Sequence, residues 1–348
     1  MRTLIITTMR NEAPYILEWV AYHRLIGVDH LLVYSNDCDD GTDALLDALS
    51  RQGWLTHERN DDYAKKGVQW TALERAGKHP VTARAEWLLV SDIDEFLNIR
   101  CGAGHLDDLF AALPEADAVA LTWRLFGANG VVEIEDAPVI AQFTRAAPFP
   151  CHAPWTASQF KTLFRNDGAY RKLGVHRPKN IEPARKDTLR WVNGSGSPLP
   201  RGFETEAAVT YGATAGMELA SLNHYSVKSA KAFLVKAARG LPNRASKPID
   251  IGYWADRNFN VVEETSIQRH LPELTAAIAT LMQDPDIARL HAAGLDWHRR
   301  AAEAALDTLE GLQLLTRAVG TERRDVDEGL ARRLLTRRIA LRKRMAGD

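Results

Sequence analysis

The chain has 348 residues, 45% of them hydrophobic, and sets 44 Lys and Arg against 45 Asp and Glu for a formal net charge of −1. That is enough apolar material for one large domain, or for a domain plus an appendage, and it lacks the basic excess by which nucleic-acid binders gain affinity, so no nucleic-acid partner is expected. Cys38, Cys101 and Cys151 are odd in number, far apart and without metal-site spacing, which fits reduced thiols, and no stretch approaches the roughly 18 apolar residues of a membrane span. The chain enters directly on a β-branched run, so the expectation is a cytoplasmic protein without a targeting segment.

Leu4 to Thr8 reads as a first strand, with Arg10-Asn11-Glu12-Ala13-Pro14 as the loop behind it. Tyr15 to Ile26 carries apolar residues at helical spacing and stops at Gly27. His30 to Tyr34 is a second buried strand, Ser35 to Thr42 a polar turn, and Asp43 to Gln52 a helix that stops at Gly53. Trp54 to Glu58 fits a third strand, Val68 to Ala76 lies in a helix, and Trp87 to Val90 is a strand that runs into Ser91-Asp92-Ile93-Asp94-Glu95. Strands alternating with helices in this way imply βαβ units and a mostly parallel sheet with helices on both faces. Ligands gather beyond the carboxyl ends of such strands, where the clusters at 10–12, 35–42 and 91–95 all fall.

Farther on, Val119 to Trp123 and Val139 to Thr144 look like strands, and 146–215 like loops and short strands that shape a binding face. Met217 to Leu222 reads as a strand and Ser229 to Arg239 as a helix. The alanine-rich remainder is expected as helices over Leu274 to Met282, Ile287 to Leu314 and Val326 to Met345.

Asp92 and Asp94 are the strongest chemical signal. Residues two apart on a strand point the same way, and a strand end that breaks into a turn aims both carboxylates at one ion. Mg²⁺ and Mn²⁺ take such oxygen ligands and complete their shells with phosphate oxygens. A lone Asp-x-Asp also arises as a solvated strand end, outside the core; its place after the fourth strand of a βαβ pattern points to the metal. The turn Ser35-Asn36-Asp37-Cys38-Asp39-Asp40-Gly41-Thr42 suits the reading of a base or ribose, and suits equally an Asx-type turn with Asp40 or Thr42 capping the next helix.

Taken in order, Arg10-Asn11-Glu12-Ala13-Pro14-Tyr15, Glu18-Trp19-Val20-Ala21-Tyr22-His23, Gly27-Val28-Asp29-His30, Asp40-Gly41-Thr42, Glu86-Trp87 and Ser91-Asp92-Ile93-Asp94-Glu95-Phe96-Leu97 resemble the family 2 and family 92-like glycosyltransferases of GT-A fold. Trp123 to Gly127, Asn223-His224-Tyr225-Ser226-Val227-Lys228-Ser229 and Phe233 to Gly240 extend the resemblance, which covers about residues 3–260 and is weak over 146–215. It implies a metal-dependent, inverting transfer of a sugar from a nucleotide-diphosphate donor to a hydroxyl of a glycan or lipid-linked acceptor. It implies Asn11, Glu12, Asn36, Asp40 and Asp92 at the donor, and Asp92, Asp94 and His224 at an Mn²⁺ or Mg²⁺ ion. Ser35-Asn36 stands where many family 2 enzymes have the aspartate that meets uracil, a departure that leaves the base open. His176 is a second histidine candidate.

The base that would deprotonate the acceptor is not singled out among Asp167, Glu182, Asp187, Glu204 and Glu206. Trp123, Trp155 and Trp191 could stack on sugar faces or pack in the core. Lys161, Arg165, Arg171, Lys172 and Arg177 make 161–177 locally basic, as a solvated surface or a diphosphate contact. Arg332, Arg333, Arg337, Arg338, Arg342, Lys343 and Arg344, interleaved with Leu330, Leu334, Leu335, Ile339 and Leu341, make an amphipathic basic helix. It would suit peripheral contact with the inner membrane face, a docked solvent-facing helix, or a dimer contact. The expected organisation is a transferase domain over 1–265, with a donor half at 1–120 and an acceptor half at 121–265, followed by a helical extension over 266–348. The rivals are a nucleotidyltransferase, which the glycine-free loop at 10–14 disfavours, and a non-catalytic carbohydrate-binding or assembly protein.

Overall fold

A computed structural model describes residues 1–63, 67–151, 153–207, 209–239 and 249–321, with 329, 333–334, 336–337, 340–341 and 344–345 beyond them. In chain order the elements are β1 (Thr3–Met9), α1 (Ala13–Leu25), β2 (His30–Ser35), α2 (Thr42–Arg51), β3 (Thr56–Arg59), α3 (Val68–Lys78), α4 (Pro80–Ala83), β4 (Trp87–Val90), β5 (Glu95–Ile99), α5 (Leu106–Ala112) and β6 (Ala118–Leu125). They continue with α6 (Val139–Gln142), β7 (Arg145–Ala146), β8 (Phe160–Arg165), β9 (Tyr170–Lys172), β10 (Lys179–Ile181), β11 (Trp191–Asn193), β12 (Ala220–His224), α7 (Ala230–Arg239), α8 (Ile251–Ala255), β13 (Val262–Glu263), α9 (Leu271–Leu281), α10 (Pro285–Ala305) and α11 (Leu309–Thr321).

The main sheet has nine strands in the order β3-β2-β1-β4-β8-β6-β12-β5, with β11 also paired to β6. Its first four strands are parallel, as the alternation of strands and helices predicts. Beyond them the sheet is mixed: β8 runs antiparallel to β4 and β6, and β5 antiparallel to β12. Leu4, Ile5 and Ile6 are fully buried because β1 is covered on both faces. Ile5, Val33 and Leu89 face α1, α2 and α9, whereas Leu4, Ile6, Leu88 and Val90 face Ala72, Leu73 and Ala76 of α3. The mixed α/β class with helices on both faces agrees with the expectation. Among the described residues no helix is long and apolar enough to cross a membrane.

Beyond elements such as β5 and α5, which the sequence reading did not anticipate, two expected elements differ from it. Val139 to Thr144, expected as a strand, opens with helix α6, and only Arg145–Ala146 pairs as a strand. The cause is a distant cap: the buried Glu18 carboxylate accepts from Val139 N at 2.7 Å and Ile140 N at 3.0 Å, satisfying the first N–H groups of the helix. The helix expected over Ile287 to Leu314 breaks after Ala305, and a new one starts at Leu309. There Thr308 Oγ1 accepts from Gly311 N at 3.0 Å, a local N-terminal cap.

The chain from 266 onward, expected as an extension, packs closely on the sheet domain. Helix α9 lies on α1, and α10 lies on α1, α2 and α7. Of the basic C-terminal helix, Leu334 and Leu341 join a cluster with Trp254, Phe233 and Leu312, while Arg337 bonds Glu303 and Asp307 at 2.7 Å each. Arg333 and Arg344 are exposed. Leu330, Arg332, Leu335, Arg338, Ile339, Arg342 and Lys343 lie outside the described residues.

The tightest point of the α10 docking is Gly294. A Cβ there would sit 2.3 Å from Ala13 Cβ and 3.3 Å from the Asp40 carbonyl oxygen, both on the frame that carries the loops after β1 and β2. In a helix interior, Gly→Ala is otherwise favourable by about 1 kcal/mol. Gly294→Ala is therefore expected to reverse that sign and destabilise by about 1–3 kcal/mol through overpacking, read by urea denaturation. A stability gain in this variant would rule out the close approach of α10 to α1.

Candidate donor and metal site

Strands β1, β2 and β4 end on one edge of the sheet, and the loops that follow them are interlocked. Asn11, at φ +52°, accepts from Asp39 N at 2.7 Å through its side-chain oxygen. Glu12 N donates to Thr42 Oγ1 at 2.8 Å. The Asp40 carboxylate accepts from Ala13 N and Thr42 N, both at 2.9 Å, and meets His298 Nε2 of α10 at 2.8 Å. Gly41, at φ +86°, turns the chain into α2 where a side chain would be strained. Asn36 is buried and donates its amide to Asp37 Oδ2 at 3.0 Å. Asn11 and Asp40 thus spend hydrogen bonds on the frame of the edge, and the Asx-type arrangement weighed for the turn is present at Asp40.

The turn after β4 concentrates acid. Glu95 is fully buried; its Oε2 accepts from Ser91 Oγ at 3.0 Å and Asp92 N at 2.9 Å, closing the turn. Lys161 of β8, also fully buried, bonds Asp92 Oδ2 at 2.9 Å and lies 3.5 Å from Glu95 Oε2. Burial opposes the Lys161 charge, but Asp92 and Glu95 outweigh it and hold the ammonium above its ordinary range. Burial pushes the Glu95 carboxyl up, with Lys161 opposing and Asp92 and Asp94 adding to the rise. Asp94, expected as a strand-end carboxylate outside the core, is only 7% exposed. Its Oδ2 takes Lys236 Nζ of α7 at 2.8 Å, and its Oδ1 lies 3.4 Å from His224 Nε2 at the end of β12. Burial alone would raise the Asp94 carboxyl; Lys236 and His224 outweigh it and hold it well below the usual carboxylate range.

Whether these residues suit a divalent cation is a question of donors. Among the described residues no group of three His, Cys, Asp or Glu side chains converges on one point. What converges is a pair: an ionised Asp94 oxygen and the His224 imidazole, whose protonation burial disfavours despite the nearby Asp94. An anionic oxygen and a neutral nitrogen are suitable ligands when diphosphate oxygens supply the others, so the pair fits a metal that arrives with its substrate. Asp92 is turned toward Lys161, which separates its role from that of Asp94.

His176 lies on the same side. Its ring is 5.5 Å from Trp123, whose other neighbour is His224 at 4.4 Å, and its Nδ1 meets the Phe160 carbonyl oxygen at 3.0 Å. Burial pushes the His176 imidazole down to about 4. Trp123 lines a shallow cleft together with Arg124, Phe149, Tyr211 and Met217. Trp191 is buried and donates to Tyr170 Oη at 2.9 Å, a core position; the Trp155 side chain lies outside the described residues. Asp167, Glu182 and Asp187 pair with Arg185, Arg171 and Arg201, and Glu204 accepts from Gly202 N at 2.8 Å. Within the basic stretch 161–177, Lys161 is no surface residue, as its full burial shows.

A second cleft opens between the loop after β1 and α7, and is lined by Asn11, Glu12, Ser226, Lys228, Lys236 and Arg239. Arg239 Nη2 bonds Glu12 Oε1 at 2.7 Å, and its Nη1 bonds the Asn11 carbonyl oxygen at 2.9 Å. Lys228, at φ +52°, lies 3.8 Å from Glu12 Oε2 and 4.2 Å from the Tyr15 ring centre. Sequence reasoning assigned no role to these cations or to His298, and weighed Lys161 only within a basic stretch, as a solvated surface or a diphosphate contact. Lys236 and Arg239 stand three apart on one helix face, a signal that was present in the run Phe233 to Gly240. His298 meets Asp40 across 258 residues, with no local signal at all.

A sheet edge of interlocked loops, an acidic turn held by lysines and an adjoining cationic cleft make up the candidate site of this α/β protein. Residues 6–195, more than half of the chain, match the model of glycosyltransferase family 92. The chain belongs to glycosyltransferase family 92. It is 27% identical over 147 residues to a family 92 protein of Oryza sativa subsp. japonica, covering 40% of this chain and 24% of the relative. It is 29% identical over 96 residues to one of Arabidopsis thaliana, covering 26% and 16%. These matches span about a quarter or less of the curated relatives' length. Among solved structures, residues 1–349 of TarS from S. aureus align over 87% of this chain and 91% of that one at 14% identity, with a TM-score of 0.32, too low to carry weight.

Removing Lys161 leaves Asp92 and Glu95 facing each other without their buried cation. Lys161→Met is expected to cost about 3–5 kcal/mol, the usual penalty for breaking a buried ion pair from one side. Lys161→Met/Glu95→Gln should recover part of it. Chemical denaturation of both variants tests this; a single variant as stable as the wild type would remove Lys161 from the network.

Proposed function

We propose that this chain is a metal-dependent glycosyltransferase that moves a sugar from a nucleotide-diphosphate donor to a hydroxyl of a glycan or lipid-linked acceptor. The observation that carries the reading is the meeting of Asp94, His224 and Lys236 where the sheet's loops converge, next to the segment that matches the family. Asp94 and His224 would hold Mn²⁺ or Mg²⁺ together with the donor's diphosphate, and the ion would offset charge on the departing diphosphate. Asp92, partly exposed and braced by Lys161, would accept from the ribose hydroxyls. Asn36, from the turn after β2, offers an amide that donates and accepts toward the base. Asn11 and Asp40 position these groups by fixing the loops to each other. The cleft that Trp123 lines together with Arg124, Phe149, Tyr211 and Met217 is assigned to the acceptor. Inversion at the anomeric carbon is the outcome that the family 2-like order of motifs implies.

The test is turnover of a panel of nucleotide sugars with Mn²⁺, repeated in excess EDTA and in Asp94→Asn. Turnover of at least one donor is expected, with a loss on the order of 100-fold in EDTA and in the variant. Circular dichroism and a thermal melt of Asp94→Asn separate lost chemistry from lost folding, since Lys236 is left without its anion. Undiminished turnover in EDTA would defeat the metal assignment, and inert enzyme with every nucleotide sugar would defeat the donor reading.

A further inference from the structure

We infer that Lys228, Lys236 and Arg239 form a built diphosphate site that grips the donor through protein cations independently of any metal ion. The inference rests on the donor reading above and assigns the diphosphate to the cleft between the loop after β1 and α7.

Three observations carry it. The first is charge. Lys228, Lys236 and Arg239 face Glu12 and Asp94, so that in direct pairs among the described residues three cations meet two carboxylates. Burial pushes the Lys228 ammonium down despite Glu12 and Asp94, the mark of a cation that its surroundings leave under-compensated. The second is unmet hydrogen bonding. Arg239 Nε and Ser226 Oγ are buried without a partner among the described residues, and both residues line this cleft. Phosphate oxygens accept from guanidinium, ammonium and hydroxyl groups alike. The third is position. Lys236 touches Asp94 and the Ser226 carbonyl oxygen, both at 2.8 Å, while Arg239 holds the Glu12 carboxylate and the carbonyl oxygens of Arg10 and Asn11. One turn of α7 thus spans from the expected metal ligand to the loop after β1. Glu12, expected at the donor, in this arrangement occupies Arg239 and Lys228 when no phosphate is there.

The site is tested by binding, with titration calorimetry in excess EDTA, using inorganic pyrophosphate, the diphosphates of uridine, guanosine and thymidine, and the three nucleosides. The wild type is expected to bind pyrophosphate and at least one nucleoside diphosphate without metal, and the parent nucleoside far more weakly. Lys236→Met and Arg239→Met should each weaken pyrophosphate on the order of tenfold. Glu12→Gln removes the competing anion and should tighten it by roughly fivefold, a gain that a misfolded variant cannot give. Nucleoside diphosphate binding that vanishes in EDTA and returns with Mn²⁺ would overturn the inference and leave the donor reading standing. So would equal affinities in wild type, Lys236→Met and Arg239→Met. No binding of any nucleoside diphosphate, with or without Mn²⁺, would overturn both.

Discussion

Charge taken out of water must be compensated where it lies, and this fold is organised around that requirement at the turn between β4 and β5. Asp92, Asp94 and Glu95 stand in four consecutive positions, with Glu95 fully buried and Asp94 nearly so. Each uncompensated carboxylate there would cost several kcal/mol. The cations come from elements remote in sequence: Lys161 from β8, 69 residues from Asp92, and Lys236 from α7, 142 residues from Asp94. The turn is therefore stable only when the second half of the sheet and the helix after β12 are already in place. A local motif at the end of one strand is in this sense a tertiary structure.

The helices enforce the same geometry from behind. Trp19 and Tyr22 of α1 donate to the carbonyl oxygens of Glu95 and Leu97 at 3.0 and 2.8 Å, so α1 fixes the strand that leaves the acidic turn. His23 packs beneath them on the Trp19 carbonyl oxygen, and burial pushes its imidazole down to about 4, so it serves as a neutral core residue. Helix α10 fixes the other side, through Gly294 against Ala13 and His298 against Asp40. The C-terminal helices thus brace this edge of the sheet from outside.

What the sequence displayed was local, and what it hid was long-range. The parallel strands of β1, β2 and β4 were legible because each is a short apolar run followed by a polar loop, and parallel topology sends all three loops to one edge. Asp92, Asp94 and His224 were legible by residue type and by order along the chain. Lys161 looked like part of a basic surface because a lysine in a run of cations carries no mark of burial; only its partners at 92 and 95 reveal it. Val139 to Gln142 looked like strand because its β-branched residues satisfy strand propensity, and the cap that makes them helical lies on Glu18, 121 residues earlier. Asp40 illustrates the converse. Its turn was read two ways, and the deciding partner, His298, sits on a helix far along the chain.

The unpaired atoms around the cleft bear on what the fold is built to hold. Arg239 Nε and Ser226 Oγ are buried without partners among the described residues. Each buried donor left unmade costs about 1–3 kcal/mol, a substantial share of the stability of a domain. Their neighbours are already engaged: Glu12 with Arg239, Asp94 with Lys236, Asn11 with Asp39. Among the described residues, rearranging those pairs would satisfy one group by stripping another. An anion that enters with several acceptor oxygens removes that deficit at once, and it meets donors whose positions the Glu12 and Asp94 pairs have already fixed. The cost of holding these groups apart is then recovered on binding, as preorganisation toward a ligand with the charge and oxygen count of a diphosphate.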